Sequence, residues 1–373
     1  MKGTVKGLVP IAIGIAILFV FQAVGGPSMF GAYQEDALLV IGINIVLGLS
    51  LNIVNGFTGQ FSIGHAGFMA LGAYAGGAIT YYGAIKLWGS YPPELPPGTG
   101  DLLFVVALVC AGLVAAGAGY LVGLPSLRLR GDYLAIVTLG FAEIIRIIIT
   151  QTEPVLSKEE VGKHSTLSLF KYLGGKSIFD RIPRVTNFFW VYSVVLIVIV
   201  VCYRLKQSTH GRAMLSVREN EIAAEAMGVH TTRFKVRAFV MAAFFAGVAG
   251  GLYAMKLGNL DANRFDFQRS FESIVMVVLG GMGSISGVCL AAVLVTYAPY
   301  LLRDVGLDQY RMVIYSLSLV VLMVVRPQGL FGMHEAWTVF AGEAGRRRWQ
   351  SFIGTPRRWY GAVRSYARKV VGT

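Results

Sequence analysis

Charge is what this sequence lacks most. Only 14% of its 373 residues are Asp, Glu, Lys or Arg, while 55% are hydrophobic, and an ordinary globular chain carries about 25% charged residues. So few charged side chains cannot cover that much apolar surface in water, which excludes a typical cytosolic enzyme. A disordered chain, which needs low hydrophobicity, is excluded by the same numbers. Glycine is plentiful, at 46 residues, but without the every-third-residue period of a collagen. Cysteine is scarce. Cys110, Cys202 and Cys289 are odd in number and widely spaced, and each sits in an apolar run. They read as small core residues rather than as a disulfide framework or a metal site. Acid is scarcer than base, 20 residues against 33, for a formal net charge of +13. A basic balance suits either a nucleic-acid binder or the Lys/Arg-rich cytoplasmic face of a membrane protein. A mean hydropathy of +0.62 favours the second, and no nucleic-acid partner is expected.

What the chain has instead is long apolar runs. A helix needs about 20 apolar residues to cross a bilayer core. Candidate spans fall at 8–24, 36–54, 60–84, 102–124, 132–150, 188–203, 237–258 and 309–326, with a longer stretch at 271–302. The polar, glycine-rich Gly280–Ser284 divides that stretch into two short segments. The expectation is an all-α polytopic membrane protein of about ten transmembrane helices. Lys2 and Lys6 precede the first span, which is read as an uncleaved helix rather than a signal peptide. With the N terminus in the cytoplasm, the inside segments 1–7, 125–131, 204–237 and 326–373 hold 20 of the 33 basic residues and only five acidic ones. The inverted topology would put the basic tail outside, so both termini are expected in the cytoplasm. Residues 1–332 read as a transmembrane domain and 333–373 as a basic cytoplasmic tail. With Arg346-Arg347-Arg348, Trp349 and Trp359, that tail suits either anionic membrane lipid or plain solvation.

The glycines contain a repeat. Asn55-Gly56-Phe57-Thr58-Gly59-Gln60-Phe61-Ser62-Ile63-Gly64-His65 and Gly280-Gly281-Met282-Gly283-Ser284-Ile285-Ser286 share Gly-x-x-Gly-x-x-Ser, so that Gly56, Gly59 and Ser62 pair with Gly280, Gly283 and Ser286 at a constant offset of 224. In the topology above both copies follow a helix entering from outside, which makes the repeats parallel. Irregular backbone at membrane depth is tolerated only when buried in protein or lining a water-filled path. Asn55, Gln60, Ser62, His65, Ser284 and Ser286 supply hydrogen-bonding side chains there. A translocation path or gate is one reading and helix packing alone the other. Gly72-x3-Gly76 and Gly247-x3-Gly251 look like simple packing motifs. His65 has no second His, Cys or acid at ligand spacing, and no metal or cofactor is expected. Glu143 and Arg146 stand three apart within the fifth span and share a helix face. At a cost of about 2.5–3.5 kcal/mol each at the membrane centre, both should face protein or water. A mutual ion pair that locks helices and a substrate-facing role both remain open.

Residues 204–237 form the most polar stretch between two spans. From Glu219 to Met227 the residues are good helix formers, and Gly228 is placed to end that helix. A short helix of this kind suits a groove on a soluble partner or is an ordinary solvated loop. Gly175-Lys176-Ser177 mimics the end of a phosphate-binding loop, but Phe170 stands where its first glycine belongs. No catalytic constellation stands out.

The chain resembles the LivM-type permeases of bacterial ABC importers for branched-chain amino acids. The resemblance rests on Gly48–Asn52 through Gly56–Ala66, Leu127–Phe141, Gly211-Arg212-Ala213, Val278–Ser284, Tyr310-Arg311-Met312 and Arg326–Leu330. It implies a permease subunit in the bacterial inner membrane, not itself an enzyme. A LivH-like sister permease would complete the path, two cytoplasmic ATPases would drive it, and a periplasmic binding protein would deliver substrate. Arg218 to Gly228 then resembles the ATPase-coupling loop of such permeases, which carries Glu-Ala-Ala-x3-Gly. Ala223, Ala224 and Gly228 fit the spacing, Ile222 occupies the glutamate position, and Glu221 stands one residue early beside Glu219. The exterior region 152–162 departs from the family's Thr-Gly-Gly-rich stretch. A permease for urea or short amides, or an ion- or proton-coupled secondary transporter using Glu143 and Arg146, are the alternatives.

Overall fold

A computed structural model describes residues 31–89, 99–127, 133–165, 168–175 and 177–304, with isolated residues at 18–20, 22, 310, 317, 329, 330, 332 and 335. The spans expected at 8–24 and 309–326, most of the 88–101 connection, residues 128–132 and nearly all of the tail lie outside the described residues.

The described part is helical, with one isolated β-bridge, Phe179 to Leu260. In chain order the helices are α1 (Ala32–Asn52), α2 (His65–Trp88), α3 (Thr99–Ser126), α4 (Tyr133–Thr150), the single turn α5 (Lys158–Val161), α6 (Phe188–Gln207), α7 (Thr209–Glu219), α8 (Glu221–Ala226), α9 (Thr231–Leu257), α10 (Phe267–Gly280) and α11 (Ile285–Asp304). Five stretches among the described residues are long and apolar enough to cross a bilayer: Tyr33–Phe57, Gly100–Ser126, Tyr133–Thr150, Phe188–Gln207 and Thr231–Leu257. The expectation of about ten extends beyond these. α10 has only 14 residues, and α2 is diluted by glycine, His65 and three tyrosines.

α1 is the axis of the bundle. From Ile41 to Gly56 it is buried on every side, because α6, α9, α10 and α11 surround it. α10 runs parallel to α1: Arg269 meets Asn44, Met276 lies by Gly48, and Gly283 meets Asn52. α11 returns antiparallel, with Asn44 Nδ2 donating to Thr296 Oγ1 at 2.8 Å.

A second group, α2, α3 and α9, packs through small residues. The two Gly-x3-Gly motifs face each other. A Cβ on Gly72 would lie 2.1 Å from the Gly247 carbonyl oxygen, and one on Gly76 would lie 3.3 Å from Gly251 Cα. Glycine here lets two helix backbones touch, the contact that drives helix association where no hydrophobic effect operates.

The polar 151–187 segment is not a free loop. Phe179 is fully buried against Tyr74, Tyr81 and Tyr82. The Tyr81 hydroxyl donates to the Leu156 carbonyl at 3.2 Å and that of Tyr82 to the Tyr172 carbonyl at 2.5 Å. The segment caps the end of the bundle at which α2 and α9 finish.

Candidate functional site

At the other end, residues 208–230 connect α6 to α9. The single helix expected from Glu219 to Met227 is two helices, because Asn220 breaks it. Asn220 is extended (φ −159°, ψ 110°), and its side chain accepts from the Ala223 amide as the cap of α8. A short amide side chain that bonds its own backbone favours a cap over a helix interior. Gly228 does end α8's segment, in the left-handed region (φ 83°). α9 begins at Thr231 rather than near 237, since Lys235 is drawn into the bundle by Glu221 (2.5 Å) with 7% of its side chain exposed.

Both glycine interruptions lie at this connector end rather than halfway along the helices. α1 ends in a π-helical turn, Ile53–Phe57, after which Gly59 turns left-handed (φ 69°). Thr58 to Gly64 then runs back into the bundle without helix. Ile63 donates its amide to Thr138 Oγ1 at 3.2 Å, and α2 starts only at His65. The Gly72–Gly247 register sets His65 level with Val240 of α9, about 13 Å in from the start of that helix. This is the irregular backbone that the sequence predicts; Thr58, Gln60, Ser62 and Gly64 are buried, while Gly59 and Phe61 are exposed. Three of its buried side-chain atoms have no protein hydrogen-bond partner: Asn55 Nδ2, Gln60 Oε1 and Ser62 Oγ. Buried polar groups normally find partners, and these three have none among the described protein atoms. His65 Nε2 lies 2.6 Å from Ser50 Oγ, whose hydroxyl is directed at the Leu47 carbonyl.

The second interruption is a tight turn. Gly280 ends α10 and packs on Gly287, and Gly281 (φ 102°) and Gly283 (φ 91°) are both left-handed. The turn lies directly against the first. A Cβ on Gly56 would be 2.6 Å from the Gly283 nitrogen. Asn52 joins them, accepting from the Gly283 amide at 2.8 Å and donating to the Ser284 carbonyl at 3.3 Å. Sequence reasoning passed over Asn52; its signal was an amide inside a run of Leu, Ile and Val. Ser284 Oγ accepts from the Gly287 amide at 3.1 Å, and Ser286 lies in the first turn of α11.

Arg218, near the end of α7, ties the connector to both turns. Its Nη1 donates to the Gly56 carbonyl at 2.5 Å and to the Met282 carbonyl at 3.3 Å. The side chain runs between the two repeat-related glycines. A Cβ on Gly59 would lie 2.8 Å from Arg218 Cγ, and one on Gly283 would lie 2.8 Å from Nη1. The other connector residues divide by direction. Glu221 pairs with Lys235, and Ala224 is buried. Glu219, Ala223 and Gly228 are exposed. Ile222 and Met227 are 70% and 85% exposed.

Glu143 and Arg146 sit apart from these turns, on α4, and pair with each other. Arg146 also donates from Nη1 to Asn263 Oδ1 at 3.0 Å, which ties α4 to the 3-10 turn Ala262–Phe265 before α10. A second pair went unnoticed in the sequence: Arg269 Nη1 meets Glu272 at 2.9 Å, and its Nη2 donates to Asn44 Oδ1 at 2.8 Å.

Residues 33–325 match the family model described as branched-chain amino acid transport system / permease component. The chain belongs to this family. The permease is 38% identical over 328 residues to the high-affinity branched-chain amino acid transport system permease protein LivM of Salmonella typhimurium, covering 83% of this chain and 73% of that one. It is 36% identical to LivM of Escherichia coli over 331 residues, with the same coverage. It is also 23% identical over 324 residues to the permease protein LivH of Escherichia coli, covering 86% of this chain and 97% of that one. The permease is thus related to both members of a permease pair, and more closely to LivM.

Proposed function

We propose that this permease is the LivM-type subunit of an ATP-driven importer for branched-chain or related hydrophobic amino acids. A LivH-like sister permease completes the path, a pair of cytoplasmic ATPases docks on residues 208–230, and a periplasmic binding protein delivers substrate. The chain lies in the bacterial inner membrane with both termini and the connector in the cytoplasm, the side to which the excess of Lys and Arg belongs. The single observation that carries the reading is Arg218, wedged between Gly59 and Gly283 and bonded to a carbonyl of each glycine turn. A load applied to α7 and α8 moves both turns through this one side chain, so connector motion and opening of the path are one event. Asn55, Gly56, Gln60, Ser62 and His65 on one side, with Gly280, Ser284 and Ser286 on the other, form the gate. The unpartnered Asn55, Gln60 and Ser62 atoms support water or solute contact there. Glu143 and Arg146 act as a structural pair, since each is already partnered within the chain.

The test is transport by the assembled complex in lipid vesicles. ATP-driven leucine uptake that requires the ATPases is expected. Accumulation by this chain alone from an ion gradient would overturn the reading. Replacing 218–228 by a Gly/Ser linker should release the ATPases on purification, and their retention would refute the docking role.

A further inference from the structure

Glu335 falls three residues into the stretch read from the sequence as a basic cytoplasmic tail, yet it is 7% exposed. Its carboxylate accepts from the Ile285 amide at 3.1 Å, the Ser286 amide at 3.0 Å, Ser286 Oγ at 2.9 Å and Ser284 Oγ at 3.4 Å. These amides are the orphan donors at the start of α11, which a helix cannot satisfy by itself. The same carboxylate pairs with Lys206 Nζ at 2.5 Å, and Lys206 also donates to the Gly283 carbonyl at 2.7 Å. Nearby, the Leu330 amide donates to the Leu279 carbonyl at 2.7 Å, and Gly329 and Gly332 pack on Gly281. The chain beyond the last span therefore returns to the same turn that Arg218 and Asn52 hold.

Lys206 is in the last turn of α6, two residues before Ser208, which caps α7. The Gly281–Ser284 turn is thus held on both sides of α7, by Arg218 within that helix and by Lys206 at the end of α6 that leads into it. One attachment would let the turn pivot when the connector moves. Two attachments, one at the α6 end just before α7 and one near the end of α7, make the turn and the start of α11 follow the hinge between them as a body. We propose that Lys206 and Glu335 are a positioning pair for energy coupling: they make α11 follow the connector, so that each ATPase stroke moves the gate. The inference rests on the importer reading above and names a further part of that machinery.

The experiment measures ATP hydrolysis and leucine uptake in the same vesicles, holding the full complex with parent, Glu335→Gln, Lys206→Met or Lys206→Arg permease, each normalised to the amount of assembled complex. Expected is a rise of about threefold or more in ATP consumed per leucine for Glu335→Gln and Lys206→Met, with Lys206→Arg close to the parent. A staple with a purely structural role would lower the yield of complex and leave that ratio unchanged, and an unchanged ratio in either variant overturns the proposal. If neither variant assembles, the pair is an assembly requirement and the proposal is equally overturned. Parent vesicles without ATP-driven uptake would overturn the importer reading and this inference with it, whereas a coupled parent beside unchanged variants refutes the pair alone.

Discussion

Gly59 and Gly283 are the two residues at which the repeat and the connector meet. Both have φ in the region that side chains rarely adopt, and Arg218 fills the space where a Cβ would go. Gly59→Ala and Gly283→Ala should each cost about 1–2 kcal/mol and also displace Arg218. The expected outcome is a lowered Tm and a larger loss of uptake than at Gly89, another left-handed glycine with open space around it. Equal effects at all three positions would show that backbone strain alone matters.

Glu335 has a pH signature of its own. Burial works against its charge, but the hydrogen bond from Lys206 and the amides of Ser286 and Ile285 outweigh it and hold the carboxyl below the usual carboxylate range. Its contribution is therefore complete above the unfolded carboxyl value, about 4.3, and is lost as pH falls through the lower folded value. Glu335→Gln should be less stable than the parent at pH 7, by about 1–3 kcal/mol, and the two melting curves should converge as pH falls below the usual carboxylate range. A gap that stays constant with pH would exclude an ionised Glu335.

Among the elements, α9 packs closely on both α2 and α3, and Gly247 faces α3 as well as Gly72. Gly247→Leu puts a branched side chain where Ala115 and the Ala111 carbonyl leave no room, with a Cβ already 2.5–2.6 Å from both. Overpacking of this kind costs about 1–3 kcal/mol, read as a lowered Tm in detergent. Gly140 on α4, with open space around it, should tolerate the same change. On the connector, Ile222 on α8 and Met227 just after it are exposed among the described residues. Exposed apolar anchors of this kind often carry partner binding. Ile222→Asp with Met227→Asp should weaken ATPase copurification about tenfold or more and leave the permease's own Tm unchanged. Undiminished copurification would move the docking surface elsewhere.

At the scale of the whole molecule, orientation is the prediction. With the native cysteines replaced, a membrane-impermeant thiol reagent should label Glu159→Cys in the 151–187 cap from outside the cell, and Glu225→Cys on the connector only in inverted vesicles. The reverse pattern would invert the topology. Much of the architecture was legible from residues alone. Apolar run length set the spans, because backbone polar groups in lipid must bond within a helix. The facing Gly-x3-Gly motifs were readable because only small residues allow backbone contact. The Glu143–Arg146 pair was readable because three residues is a local distance on a helix. The break at Asn220 was missed because a cap competes with helix propensity by a fraction of a kcal/mol, too little to see in a run of good formers. Arg269–Glu272 was missed because α10 is short and its charges looked like a loop boundary.

Local chemistry decided what the sequence could determine by itself: a helical membrane chain, its family, its packing glycines and a polar segment between two spans. Tertiary structure alone decided that the two glycine turns touch, that Arg218 lies between them, that Asn52 joins them, and that Glu335 leaves the tail to cap α11. Asn52 stands more than 230 residues from the turn it bonds. No periodicity or spacing encodes such a contact, because it exists only after the helices on either side have chosen their neighbours.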